Sequence, residues 1–387
     1  MNFVFLSPHF PPNYYLFCVH LRNLGANVLG IADELYENLR PELKETLTEY
    51  YYVPDMHNYG ELVRALGYFT HRYGRLDRLD SMNEYWLETE ARLRTDFNLE
   101  GFKVHDLPGI KRKSEMKELF RKAGVAVARG QVVRTPAQAR KFLDEVGYPV
   151  VAKPDVGVGA SKTYKISDEQ EFASFWATKP LEDYILEEFV NGSIETFDGL
   201  TDKDGQVVFS ASLRYNRGVM EIVNEDDDIY YYTVREIPAD LERSGRNIAA
   251  FFGLRERFFH FEFFRTPDDR LVALEVNMRP PGGWTTDLWN YANDLDIYHE
   301  WANIVMNNRF GALYTRPYFC GYIGRKSHKL YLHTHKEILA QFGGTIVLHA
   351  PMSGIFSAAM GDYGYVGRSA ELAPILALAQ FAHQKAA

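Results

Sequence analysis

Cysteine is almost missing from this chain: Cys18 and Cys320 are the only two in 387 residues. That excludes a disulfide framework and a cysteine-rich zinc site. No apolar run reaches the roughly 18 residues that a membrane-spanning helix needs. The opening MNFVFLSPHFPP lacks a basic segment followed by an uninterrupted apolar core, so it does not read as a secretory leader. Basic excess is absent too: 43 Lys and Arg stand against 52 Asp and Glu, a net charge of -9. A long nucleic-acid footprint requires the opposite balance. The expected partners are therefore neither nucleic acid nor membrane, and the expected location is cytoplasmic. GxGxxG is missing from the first strand-to-helix loop, which leaves a dinucleotide site without support.

What is present is an ordinary globular composition, 46% hydrophobic and 25% charged, in a chain too long for one core. Its most informative stretch is HFEFFRTPDDRLVALEVNMRPPGG. Glu262 lies on one apolar run, Glu275 and Asn277 on the next, with a turn between them. Residues two apart on a strand share a face, and an antiparallel neighbour brings Glu262 to meet them. Two carboxylates and an amide oxygen make a hard oxygen site suited to Mg2+ against phosphates. The competing reading is an acidic hairpin that faces water. Arg279 and the run Pro280, Pro281, Gly282, Gly283 follow, ending the strand and letting backbone approach a ligand.

The first hundred residues predict a βαβ unit: a strand over Asn2 to Ser7, a helix through Cys18, His20 and Leu24, and a strand in ANVLGIAD. His9, Asn13 and Tyr14 then fall at the strand edge where open sheets place ligands, or else form a proline-stiffened turn. Helices are expected around Tyr59 to Leu66 and Met82 to Phe97, the latter with its acidic residues on the surface. Further on come a helix in KRKSEMKELFRKAG, a helix over Pro136 to Val146, and a strand containing Lys153. An ammonium within VVAK is costly to bury without a partner, and a phosphate would be one. The loop after it, with Gly157 and Gly159, matches neither the Walker nor the kinase pattern and reads either as a phosphate cradle or as a plain turn. In LEDYILEEFVNGSIETF an apolar strand passes into a linker that can offer backbone groups to an adenine edge.

Taken in order, Lys113, Lys153, the glycine loop, Glu187 to Val190, Glu195, Glu262, Glu275, Asn277 and Arg279 resemble the ATP-grasp family over roughly residues 105 to 310. The fold this implies combines α/β and α+β parts, an ATP-grasp fold preceded by a small parallel-sheet domain. The expected division is residues 1–104 for that first domain, 105–180 for the small subdomain with the glycine flap, 181–310 for the large subdomain, and 311–387 for a C-terminal closing region. The resemblance implies that Lys113 and Lys153 contact nucleotide phosphates and that Pro154 to Ser161, including Gly157, Gly159 and Ser161, form the flap. It implies that Glu187, Glu188, Phe189 and Val190 line adenine, the contacts of Glu187 and Val190 being mainly backbone, and that Glu195 holds the ribose. Glu262, Glu275 and Asn277 would bind Mg2+, or Mn2+ in its place, and Arg279 with Lys153 would be catalytic.

The activity so implied is ATP-dependent ligation of a carboxylic acid to an amine through an acyl phosphate, with amino acids or similar small acids as substrates. A biotin-carboxylase-like enzyme activating bicarbonate and a non-catalytic ATP-binding regulator are the alternatives. Arg214, Arg217 and Arg325 are weaker candidates for a substrate carboxylate, and EIVNEDDDIYYY reads as a solvated loop or a cover for a cationic substrate. Residues 282 to 310 read as a glycine entrance and then helix, with Trp284, Thr285 and Thr286 beside the phosphate site. His328, His333, His335 and His349 lack compact ligand spacing. Strands are expected near Tyr318 to Ile323, Leu330 to His333 and Thr345 to His349, and the stretch MSGIFSAAMGDYGYVGRSAELAPILALAQFAHQ is expected to add a strand, a glycine-rich turn and a terminal amphipathic helix. Oligomerisation stays open.

Overall fold

The computed structural model describes residues 1–157, 162–352 and 354–386. Three sheets organise them. The first is parallel, in order β3-β2-β1-β4, and consists of β1 (Asn2–Leu6), β2 (Asn27–Ala32), β3 (Glu49–Tyr52) and β4 (Arg78–Asp80). Near-continuous apolar runs such as NFVFL and NVLGIA suit strands covered on both faces. Helices Tyr15–Asn23 and Tyr59–Tyr73 supply that cover, with Phe17 and Leu21 on one and Leu62, Leu66 and Phe69 on the other.

The second sheet, β5-β8-β6-β7, is antiparallel and contains β5 (Gly130–Val133), β6 (Val150–Pro154), β7 (Tyr164–Ile166) and β8 (Tyr184–Glu188). Helix Pro136–Val146 begins where a Thr135 and Gln138 capping box satisfies its first N–H groups. The third sheet runs β14-β13-β9-β11-β12-β15-β17-β16, with β10 also on β9. Its strands are β9 (Ser193–Thr201), β10 (Val207–Ala211), β11 (Leu213–Tyr215), β12 (Tyr230–Thr233), β13 (Phe258–Arg265), β14 (Leu271–Asn277), β15 (Phe319–Arg325), β16 (Ile346–Pro351) and β17 (Tyr363–Ser369).

Several local expectations change. Residues 285–307 form two helices, Thr285–Asn293 and Ile297–Asn307, because Asp294 adopts a left-handed φ of 52° that ends the first. The region around Leu330 to His333 contributes only an isolated bridge from Tyr331 to Lys385. The stretch after Met352 does contain a strand and a terminal helix, but the glycine-rich GDYGYVG lies largely in that strand, β17, and the described residues before it form the turn Gly354–Phe356 and the short helix Ser357–Met360. The acidic run near Asp226 is solvent-exposed at Glu225 and Asp226, as a solvated loop would be, and its carboxylates are also ion-paired. Asp226 pairs with Lys326 and His328, Asp228 with Lys329 and Lys385, and Glu225 and Asp227 with Arg217.

The helix expected over Met82 to Phe97 starts as a single turn, Glu84–Trp86, and continues as Leu87–Asp96. Its acidic residues are not all on the surface. Glu90 and Arg94, one helical turn apart, are each 1% exposed and pair at 2.9 Å. Arg94 also reaches Asp80 at the end of β4, and Asp80 is held at 2.6 Å by Arg257 at the entry to β13. The other arm of the Arg257 guanidinium donates to the Met278 carbonyl at 2.7 Å, immediately before Arg279. One buried network therefore joins the first sheet to the backbone carrying the arginine expected to be catalytic. Replacing Arg257 by Met leaves Asp80 and Glu90 short of a cation. The expected loss is about 3 kcal/mol of stability in chemical denaturation, and an unchanged midpoint would show the network to be dispensable.

Candidate active site

The second and third sheets enclose a cleft of about 460 Å³. On the third sheet, Glu262 of β13 is registered directly opposite Glu275 of β14, and His260 opposite Asn277. Strand alternation puts all four on one face, and all four line the cleft. Directly opposed like charges destabilise a sheet unless something lies between or beside them. Lys113 Nζ stands 3.5 Å from Glu275 Oε1, and Arg279 lines the same cavity.

Lys113 is placed by the start of helix Lys113–Lys122. Its own N–H donates to the Asp155 carbonyl at 2.7 Å, and the Ser114 N–H donates to the Asp155 carboxylate at 2.8 Å. That helix lies on β14, where the Val276 N–H donates to Met116 Sδ at 3.4 Å. The Lys113 ammonium also donates to the Gly157 carbonyl at 2.9 Å. Gly157 thus meets the cleft lysine through its oxygen, whereas the flap reading assigned such glycines to N–H donation. Gly159 and Ser161 lie outside the described residues.

On the second sheet, Lys153 of β6 and Glu187 of β8 share a face and pair at 2.9 Å. Lys117 completes a trio at 3.0 Å from the same carboxylate. It sits four residues after Lys113, one helical turn along the same face, a spacing visible in KSEMK but not used above. Burial alone would raise the Glu187 carboxyl, but Lys153 and Lys117 outweigh it and hold the group low. Burial pulls Lys117 down from the usual lysine value. Glu187 is therefore engaged through its carboxylate, while its backbone belongs to the ladder.

The linker expected to receive adenine does line the cleft at Glu187, Glu188, Phe189 and Val190. The Glu188 N–H donates to the Arg129 carbonyl, its carboxylate accepts from Arg129, and the Phe189 N–H donates to the Pro149 carbonyl. Glu195 requires correction. It pairs in register with Phe263, on the face of β9 opposite the one opposing Glu262, and is locked to Arg214 at 2.5 Å and Arg265 at 3.2 Å. Ile194 faces the cleft in its place. Arg217 is held by the acidic loop and Arg325 lies 4.0 Å over the Tyr331 ring, so neither arginine is among the cleft residues. Asn13 donates to Asp287 at 2.9 Å and Tyr14 is buried, and neither lines the cleft. Thr285 and Thr286 are buried as well, bonded to Tyr231 and Tyr298.

Two groups were missed. His260 lies between Asp198, 2.7 Å from Nδ1, and Glu262, 3.0 Å from Nε2. Burial disfavours its charged form, but the two carboxylates prevail and raise it to about 9. Burial likewise opposes ionisation of Glu262, and the His260 hydrogen bond overrides it. Thr196 donates to Asp198 at 2.7 Å and receives the Leu213 N–H at 2.9 Å, so the row is anchored in β9 and β11. The HxE spacing of His260 and Glu262 was the available signal. The second group is Glu84, whose Oε2 has no hydrogen-bond partner among the described residues. Burial raises its carboxyl, and Arg279 is the cation acting on it most strongly.

Among the described residues no three His, Cys, Asp or Glu side chains gather as a metal set. The cleft instead offers two carboxylates and an amide on one sheet face. That donor set fits Mg2+, which uses one or two carboxylates and completes its shell with water and phosphate oxygens. A divalent cation there would also offset the repulsion between Glu262 and Glu275.

Residues 146–287 match the model of a family described as ATP-grasp domain. An L-arginine-specific L-amino acid ligase of Bacillus subtilis is 22% identical over 265 residues, which is 61% of each chain and so less than two thirds of that relative's length. The crystal structure of an L-amino acid ligase from Bacillus licheniformis superposes with a TM-score of 0.77 at 13% identity, covering 98% of this chain and 96% of that one. N5-carboxyaminoimidazole synthetase from Staphylococcus aureus complexed with ADP gives 0.71 at 12% identity, covering 97% and 95%. At such identities the superpositions establish the fold. The chain therefore has the ATP-grasp fold, and residues 146–287 within it match the ATP-grasp domain.

Proposed function

We propose that this protein is an ATP-dependent carboxylate-amine ligase that forms an amide or peptide bond, releasing ADP and phosphate, in the cytoplasm. The observation carrying the proposal is the opposition of Glu262 and Glu275, with Asn277 beside them and Lys113, Lys153 and Arg279 around the same cleft. Two relatives are named L-amino acid ligases, which supports amino acids as substrates.

In this reading Lys113 and Lys153 hold phosphate oxygens, and an adenine edge meets the linker near Phe189 and Val190. Glu262, Glu275 and Asn277 would hold Mg2+, which would supply charge neutralisation to the phosphate oxygens. A carboxylate is a poor acyl donor because its leaving group would be oxide. Transfer of the γ-phosphoryl group to the acid gives an acyl phosphate and ADP. The amine nitrogen then attacks the acyl carbon, the bond to the phosphate oxygen breaks, and the nitrogen loses a proton. Arg279 has the fork geometry to receive the charge that develops on oxygen.

His260 serves this arrangement by position. Its hydrogen bond to Glu262 Oε1 orients the carboxylate, which would hold the cation.

Bicarbonate activation uses the same phosphoryl-transfer core, and a silent nucleotide sensor would share its binding half. A crossed panel of acids and amines, read by phosphate release and product mass, separates the three. Phosphate release that needs both an acid and an amine, with a condensation product formed without bicarbonate, is expected. Nucleotide binding without turnover across the panel would sink the proposal.

Glu275→Ala should lower kcat/KM by at least about 100-fold with little change in melting temperature, since it removes a cation ligand at a cleft surface. Near-normal activity at limiting Mg2+ would refute that role. Arg279→Lys should cost about 100- to 1000-fold in kcat, because an ammonium does not reproduce the guanidinium fork. Unchanged turnover would make Arg279 peripheral.

A further inference from the structure

Beyond the phosphate and cation groups, one wall of the cleft has no assigned task. It consists of Tyr215, Ile229, Tyr231, Phe356, Ala359 and Met360. Tyr215 stacks on Tyr231 with ring centroids 5.0 Å apart, and Tyr231 stacks on Tyr322 at 5.3 Å. The Tyr231 hydroxyl is already used, 3.0 Å from Thr285 Oγ1. Phe356 stacks on Phe10 at 5.6 Å, which stiffens the wall from behind. Gly283 faces it so closely that a Cβ there would come within 2.6 Å of Met360 Cε.

Position ties this wall to the chemistry. Tyr215 and Tyr231 line the same cavity as Glu262, Glu275, Asn277 and Arg279, so the wall opens onto the groups expected to activate the acid. The carboxylates among the described cleft residues are already engaged or assigned. Glu187 answers two lysines, Glu188 answers Arg129, Glu275 stands against Lys113, and Glu262 stands against His260. A charged side chain laid on this wall would lose water and meet no ionised partner among Tyr215, Ile229, Tyr231, Phe356, Ala359 and Met360, whereas an apolar one gains by leaving water.

We infer that the acid activated here carries an apolar side chain of about leucine, methionine or phenylalanine size, and that this wall receives it. The inference rests on the ligase reading above, taken one step further to the class of the acid.

Hydroxylamine isolates the acid from the unknown amine. Its nitrogen attacks the acyl phosphate, phosphate leaves, a proton is lost, and the acid is captured as a hydroxamate detected by mass. With ATP and Mg2+ present, leucine, methionine and phenylalanine should give hydroxamate with kcat/KM about 100-fold above arginine, lysine or glutamate. Glycine should also fall well below them. Met360→Ala, checked for an unchanged melting temperature, should favour phenylalanine over leucine about tenfold more than the parent protein does. Preference for charged acids, glycine equal to leucine, or an unmoved ratio in the variant would overturn the inference and leave the ligase reading standing. No hydroxamate from any acid would overturn both.

Discussion

Two carboxylates facing each other across a pair of strands are an electrostatic fault that a sheet does not keep without compensation. Glu262 and Glu275 are such a pair, and much of the cleft can be understood as their compensation. His260 answers Glu262 from the same strand, and Asp198 holds His260 from the neighbouring one. Lys113 answers Glu275 from a helix whose first residues are bonded to Asp155 just beyond β6. The second and third sheets are therefore joined electrically at the point where they face each other. The same hairpin is fixed from below, where Arg257 bonds Asp80 of the first sheet and the carbonyl preceding Arg279.

Local periodicity made part of this legible. The period-two pattern of LEVN placed Glu275 and Asn277 on one face, and the hairpin turn brought Glu262 back to them. Lys153 stood out because an ammonium in an apolar strand needs a partner. Glu195 failed for a related reason. Which face of a strand carries a residue depends on register against a neighbour, and the sequence of β9 does not contain its register against β13. Ile194, one residue earlier, has the parity that faces the cleft. Glu90 failed differently. Its burial depends on Arg94 one turn away, which was visible, and on the Asp80 and Arg257 network brought together from distant segments, which was not.

His260 and Lys117 show a third kind of miss, in which the spacing was present and its meaning was not. Two residues before Glu262 on a strand, His260 had to share its face. Four residues after Lys113 on a helix, Lys117 had to lie beside it. Neither rule says whether such a neighbour packs, floats in water or enters a site. That answer needed Asp198 in one case and Glu187 in the other, both contributed by different strands.

The Lys117, Glu187 and Lys153 trio shows why the cleft favours an anion. Two ammonium groups share one carboxylate, so this buried cluster carries one positive charge beyond neutrality. Burial opposes the charge on Lys117, and the single carboxylate does not answer both cations fully. An anionic ligand oxygen close to Lys153 would remove the imbalance without breaking either ion pair. At the opposite end of the cleft the Glu262 and Glu275 carboxylates lie side by side, answered by His260 and Lys113. A ligand that suits both ends carries negative oxygens toward the lysines and arrives with a divalent metal near the hairpin. That arrangement is set by side chains on two different sheets, which is why neither sheet alone would carry the cleft's charge pattern.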